Sequence, residues 1–256
     1  MQILLIWFLS VLNLYEPTNI NTPCDFFEID HMGNVYVVNG SQLSKYNSEG
    51  EQVCNFSDSS LGSISSIDVS DPLRILLFYR DFNQIIYLNN KLSTIGNEID
   101  LYDISDNETE FVCNSQKGGF WMYNSIENQA TYITNNGEIA AQTILLGSFF
   151  EDAEIVKMFE HNSDLYLLYE NKGILQLDQN GQFVRKLSFQ DIQDFQLIGK
   201  QIYYQDKTGI HLYQALNQSD QLIHTKEDPS REIIQCTKDK IFIKNENSIS
   251  IKTLSF

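Results

Sequence analysis

The chain is short of positive charge. Among its 256 residues, 17 are Lys or Arg and 34 are Asp or Glu, a formal net charge of −17. An excess of that size repels phosphate backbones, which excludes a nucleic-acid-binding role. Histidine, cysteine and proline are each present only four times. There is no Cys-x-x-Cys pair, no Gly-x-Ser-x-Gly elbow and no glycine-rich phosphate loop. The common zinc, thiol-redox, serine-nucleophile and nucleotide-binding motifs are therefore missing. After residue 25 no 3.6-residue apolar periodicity is sustained, so no amphipathic helix of useful length is expected. No apolar run reaches the roughly 20 residues that a helix needs to cross a bilayer, so an integral membrane protein is not expected either.

The longest apolar run is Ile3-Leu4-Leu5-Ile6-Trp7-Phe8-Leu9-Ser10-Val11-Leu12-Asn13-Leu14, followed by Tyr15-Glu16-Pro17. It has the length of a signal-peptide core although no Lys or Arg precedes it. Residues 1–18 thus read as a secretory leader, and the protein is expected outside the cytoplasm: periplasmic, outer-membrane-associated or secreted. The competing reading is a first buried strand. Asn21-Thr22-Pro23 before Cys24 does not match a lipid-acylation site.

What the chain does have is aromatic and β-branched strand formers. Hydrophobic residues make up 42%, with 13 Tyr and 16 Phe, enough for a sizeable core and better suited to strands than to helices. Short apolar segments separated by Asn/Asp/Gly turns recur from Phe26 to Phe256. Aligned on their second strand they begin near Val35, Ile75, Phe120, Leu165, Ile202 and Ile241, at intervals of 37–45 residues. A period of about 40 residues built only of strands predicts blades of four antiparallel strands. Residues 19–256 are therefore expected to form one all-β, six-bladed β-propeller. Gly50, Gly137 and Gly181 punctuate the turns between third and outer strands. The last unit lacks an outer strand, and the residues around Asn19–Cys24 are expected to supply it, because an unclosed ring would leave two open sheet edges.

Segments such as Ile174-Leu175-Gln176-Leu177-Asp178-Gln179-Asn180-Gly181-Gln182-Phe183-Val184-Arg185-Lys186-Leu187 resemble blades of six-bladed propellers of the NHL and YncE-like type. The stretch from Asp68-Val69-Ser70-Asp71-Pro72 through Phe82-Asn83-Gln84 resembles an exported family of bacterial propeller proteins. The resemblance spans nearly the whole chain after the leader. It implies fold more than activity, because propellers host binding proteins, lyases, lactonases and sensors.

Few residues carry chemistry in this frame. His31 and His161 fall in equivalent turns of different units, His211 on a third strand and His224 on an outer strand, both away from the axis. The inner strands offer Glu28, Asp30, Asp68, Glu110, Glu160 and Asp194, with no histidine at a matching position. A metal-assisted hydrolase or lyase is disfavoured, and neither metal nor cofactor is expected. Cys113 and Cys236 read as buried thiols on inner strands. A Cys24–Cys54 bridge is feasible only if Cys24 joins an outer edge. Sequons occur at Asn39, Asn55, Asn107 and Asn217.

One pattern points to function. The connections from each outer strand to the next inner strand share a propeller face with the turns between second and third strands, and they are rich in acid. That face suggests a docking surface comprising Arg80, Phe82, Asp103, Asp106, Phe149, Phe150, Glu151, Asp152, Asp191 and Asp228, with the phenylalanines as apolar anchors. The reading is a non-catalytic, extracytoplasmic protein-interaction scaffold with a basic protein partner, in an envelope-associated complex. The alternatives are a propeller that binds a small ligand or glycan in its channel, and an enzyme of the lactonase or lyase type.

Overall fold

The computed structural model describes residues 18–228, 233–245 and 247–254. They form six four-stranded antiparallel sheets, each a blade. The first described strand, β1 (Thr18–Asn21), belongs to the last blade. Blade one is β2 (Phe26–Ile29), β3 (Val35–Asn39), β4 (Gln42–Tyr46) and β5 (Gln52–Ser57). Blade two is β6 (Ser66–Asp68), β7 (Ile75–Tyr79), β8 (Gln84–Leu88) and β9 (Thr94–Asp100). Blade three is β10 (Phe111–Asn114), β11 (Phe120–Asn124), β12 (Gln129–Ile133) and β13 (Ile139–Gln142). Blade four is β14 (Ile155–His161), β15 (Asp164–Tyr169), β16 (Gly173–Leu177) and β17 (Phe183–Ser188). Blade five is β18 (Asp194–Ile198), β19 (Gln201–Gln205), β20 (Gly209–Gln214) and β21 (Ser219–Thr225). Blade six is β22 (Ile233–Cys236), β23 (Lys240–Asn245) and β24 (Ser248–Thr253), completed by β1. The only helical elements among the described residues are single 3-10 turns at Ser59–Leu61, Arg80–Phe82 and Leu101–Asp103.

Burial explains why these segments are strands although many lack alternation. Every residue of β7 and β11 is buried, because the middle of a blade is covered on both faces by its neighbours. The outermost strands β5 and β17 alternate between exposed and half-buried positions. The core therefore lies between blades. Tyr36, Val38 and Leu43 of blade one pack with Ile75, Leu77 and Tyr79 of blade two, and Trp121 and Tyr132 of blade three pack with Leu165, Leu167 and Tyr169 of blade four. Three of the scarce lysines each reach a turn carbonyl of the next blade. Lys45 donates to Asn90 O (3.3 Å), Lys117 to Gln179 O (2.8 Å) and Lys240 to Ser48 O (3.1 Å).

β1 closes the ring. Thr18 pairs with Ile251, and Ile20 with Ile249. The expected outer strand is thus present, and because it starts at Thr18, a leader boundary drawn after residue 18 falls inside it. The leader expectation itself concerns residues outside the described set. The turn of blade one packs directly on this strand: Gly50 has φ +80°, and a Cβ there would come within 2.7 Å of Thr18 Cγ2. Gly50→Ala is therefore expected to cost about 1–2 kcal/mol in a urea melt, from left-handed strain and displacement of β1. A neutral result would mean that β1 yields freely.

The turns between third and outer strands of blades one, two and four share one device. Asn47 Oδ1 accepts from Glu49 N and Glu51 N, Asn89 Oδ1 from Lys91 N and Ser93 N, and Asp178 Oδ1 from Asn180 N and Gln182 N. The fourth residue of each turn is left-handed: Gly50, Leu92 and Gly181. In blade two a buried leucine, φ +59°, takes the glycine's place. All four cysteines are free thiols; Cys24 lies beyond β1, buried, and donates to Phe26 O (3.2 Å).

Candidate functional site: the channel and the loop face

Each inner strand turns one hydrogen-bonding edge to the central channel, and those backbone groups need partners. The polar inner-strand side chains supply them from neighbouring blades. Asp68 Oδ2 accepts from Asn114 N (2.8 Å), Glu160 Oε1 from Gln116 N (2.8 Å) and Gln196 Oε1 from Cys236 N (2.7 Å). Gln235 Nε2 donates to Phe27 O (2.9 Å), and Lys157 Nζ to Phe195 O (3.3 Å). Glu160 also holds the indole of Trp121, Nε1 to Oε2 at 2.9 Å. Asp30 is spent within its own turn, accepting from Met32 N, Asn34 N, Asn34 Nδ2 and Tyr36 OH. Asp68 and Glu160, two of the inner-strand carboxylates, thus tie neighbouring blades together.

The channel encloses about 1080 Å³. Its wall carries the acids Glu28, Asp68, Glu110, Glu160 and Asp194 and the bases Arg80, Lys157, Lys226 and Lys244. Lys157 Nζ sits 2.7 Å from Asp194 Oδ1. Burial lowers the Lys157 pKa, but Asp194 and Glu28 outweigh it and hold the ammonium above its usual value. Glu28 is pushed up to about 7, first by burial and then by Asp194, against the pull of Lys157 and the Gln235 amide (Nε2 to Oε2 3.1 Å). Burial likewise raises Asp68. The inner-strand thiols are inert by the same cause: burial raises Cys236 to about 12 and Cys113 well above the ordinary thiol range.

The histidines stay apart from one another. His31 is exposed, and His161, which lines the channel beside Glu160, has Nε2 3.1 Å from Gly199 O. His211 stacks on Tyr204 (centroids 4.8 Å) between Asp206 and Asp220, each at 3.3 Å, on the periphery of blade five. Among the described residues no group of three or more His, Cys, Asp or Glu is placed to hold a metal ion.

The loop face forms as the topology requires, because its two sets of connections bond to each other. Leu101 N donates to Asn83 O (2.9 Å), Glu170 N to Glu154 O (2.9 Å) and Ile64 N to Gly40 O (3.0 Å). Asp103, Asp106, Glu151, Asp152 and Asp191 are exposed on it, and Asp228 is half-buried. Asp191 faces Lys207 at 3.9 Å. Arg80 is exposed, donates through Nη2 to Glu110 O (2.7 Å) and lies over the Phe111 ring. Phe82 is 47% exposed.

Two expected anchors are withdrawn. Phe150 is only 5% exposed; it packs on Tyr169 (centroids 4.8 Å) with Lys186 Nζ over its ring at 4.0 Å. Phe149 is half-buried and stacked on Phe183 (5.5 Å, 5°). The connection that carries them folds inward because Leu146 is fully buried and its carbonyl accepts from Tyr169 OH (2.6 Å). In their place the structure exposes Tyr102 (48%) and Ile126 (77%). The signal for Ile126 was present in the sequence: an isoleucine alone inside the polar turn Asn124-Ser125-Ile126-Glu127-Asn128.

The architecture is that of an all-β, six-bladed β-propeller. No protein-family model matches the chain, and no curated protein matches it by sequence. Among solved structures it is similar to a streptogramin B lyase (TM-score 0.62, 12% identity, 93% of this chain and 97% of that one). It is also similar to the WD40 domain of Pan2 from Neurospora crassa (TM-score 0.56, 11% identity, 90% and 75%). A third is BBS1N in complex with ARL6DN (TM-score 0.56, 12% identity, 87% and 75%). At such identities the likeness is one of fold.

Proposed function

We propose that this protein is a non-catalytic, extracytoplasmic interaction scaffold that presents its acidic loop face to a basic protein partner. The observation that carries this reading is the set of exposed, largely unpaired carboxylates beside exposed apolar side chains on one face of a rigid ring. Asp68, Glu160 and Gln196 of the channel wall are engaged in joining blades, and its thiols are held protonated, which argues against thiol-based covalent chemistry there. One structural neighbour, BBS1N, is seen with a protein partner. The apolar leader supports export.

Affinity capture of the mature protein from its native envelope tests this. The expected result is a stoichiometric basic protein that elutes at about 1 M salt, where screening shortens the Debye length to about 3 Å. Recovery without any stoichiometric protein would overturn it. The location is tested by the amino terminus: cleavage at or before Pro17 is expected, because a later cut shortens β1. A full-length chain in the cytoplasm would sink the export half of the reading. The size of the channel favours small-ligand binding as a second reading. A ligand retained through purification and identified by native mass spectrometry would move the argument there.

A further inference from the structure

We infer that the docking site is not the whole loop face but the rim of blades two and three, and that its occupant is a protein segment in which Lys or Arg side chains flank two or three apolar ones. This rests on the reading above and narrows it to one place. Phe82, Tyr102 and Ile126 are exposed large apolar side chains in the described loops of this rim.

They belong to one connected surface. The turn that carries Phe82 is joined to the one that carries Tyr102 by Leu101 N to Asn83 O (2.9 Å) and Thr109 N to Asn83 Oδ1 (3.0 Å). The connection after Tyr102 is joined to the turn of Ile126 by Asn107 Nδ2 to Glu127 Oε1 (3.1 Å).

The display is rigid. Asp100 Oδ1 accepts from Tyr102 N (2.9 Å), Asn124 Oδ1 from Ile126 N (2.8 Å), and Asn83, φ +50°, closes the Phe82 turn by donating to Arg80 O (2.9 Å). Side chains held this way lose little freedom on binding.

The charge around them selects the partner. Asp81, Asp103, Asp106 and Glu108 are exposed, with no salt bridge or side-chain hydrogen bond to another described residue. A cationic segment gains attraction from each without first breaking an existing pair. In the next connection, which carries Glu151 and Asp152, Phe150 is buried and Phe149 is stacked on Phe183, so Leu145 (62% exposed) is the one exposed large apolar side chain there, against three on this rim.

A second observation falls at the same place. Asn83 Nδ2, Thr109 Oγ1 and Asn124 Nδ2 are buried without a protein partner in the segments that carry the patch. Buried polar groups left unpaired cost stability, and they gather where a surface is kept for a purpose other than packing.

The probe is a synthetic peptide library in which Lys or Arg alternates with Leu or Phe, screened on the full chain at about 0.15 M salt against the same library with Glu for Lys. Cationic peptides are expected to be enriched. Their binding, by isothermal titration, is expected to weaken about tenfold or more with Ile126→Ser, Phe82→Ser or Asp103→Lys, and less than about threefold with Glu151→Lys. Ile126→Ser alone suffices if Phe82→Ser disturbs its turn. Equal loss with Glu151→Lys would overturn the patch and leave the acidic-face reading standing. No preference for cationic over acidic peptides would overturn both. A wild-type chain that sediments as a dimer, and as a monomer after Ile126→Ser, would also overturn it, assigning the surface to a second copy of the chain.

Discussion

Ile20→Ala is expected to lower the unfolding free energy by about 2–5 kcal/mol, which for a chain of this size shifts Tm by roughly 5–15 °C. Ile20 is 2% exposed and packs with Phe27, Val35, Phe242 and Ile249, so it touches both the first and the last blade. It is the only buried residue of β1, whose pattern Thr-Asn-Ile-Asn otherwise faces out. Deleting its side chain removes apolar burial and weakens the one strand that covers the edge of β24. An open propeller exposes two sheet edges, so the loss is expected to bring aggregation with it. Asn19→Ala, on the exposed side of the same strand, is expected to cost less than about 0.5 kcal/mol. Equilibrium urea unfolding of both variants measures the difference. Equal stabilities would mean that the ring holds without its closing strand.

The closing strand also marks how far the sequence could be read. Its existence followed from counting: five units showed four strands and the sixth showed three. The middle strands were legible because β7, β11 and β15 are dense in apolar residues whatever their neighbours. The inner and outer strands were less so. The inner strand of blade two spans only Ser66–Asp68 where Ile64–Val69 was expected, because Ile64 and Val69 pack between blades without joining the ladder. The turn of blade two escaped notice because Leu92 stands where glycine marks the turns of blades one, three and four. The loop face was legible from topology alone, since alternate connections of a meander must share a side. Which of its side chains point outward was not. Phe149 and Phe150 stand beside acids in the sequence just as Phe82 does, and only the inward fold of their connection separates them. The structural role of Asp68 and Glu160 was not legible for a related reason: sequence shows a charged side chain but not the backbone N–H of another blade that it accepts from.

Glu28→Gln is expected to stabilise the protein by about 2–3 kcal/mol at mildly alkaline pH and to leave it unchanged near pH 4. In the folded protein the Glu28 carboxyl is raised from 4.5 to about 7, chiefly by burial in the channel. Between those values the folded chain holds a proton that the unfolded chain has released. Stability therefore falls as pH rises through this window, and the full cost is present once pH exceeds the folded value. A shift of this size corresponds to about 3.4 kcal/mol, reduced here because Glu28 keeps contact with channel water. Glutamine carries no charge to desolvate and keeps an oxygen able to accept from Gln235 Nε2, which now lies 3.1 Å from the carboxylate. Lys157 loses one of the two carboxylates that raise its pKa but keeps Asp194 at 2.7 Å, so the cation stays paired. The difference between the wild-type and variant stability profiles should open between about pH 4.5 and pH 7 and then stay constant. Asn19→Ala, which alters no titratable group, serves as the control. Parallel profiles for wild type and Glu28→Gln across this range would mean that Glu28 is ionised in the folded ring at no cost. The channel would then be wetter, or more positive, than the arrangement of Lys157, Asp194 and Gln235 implies.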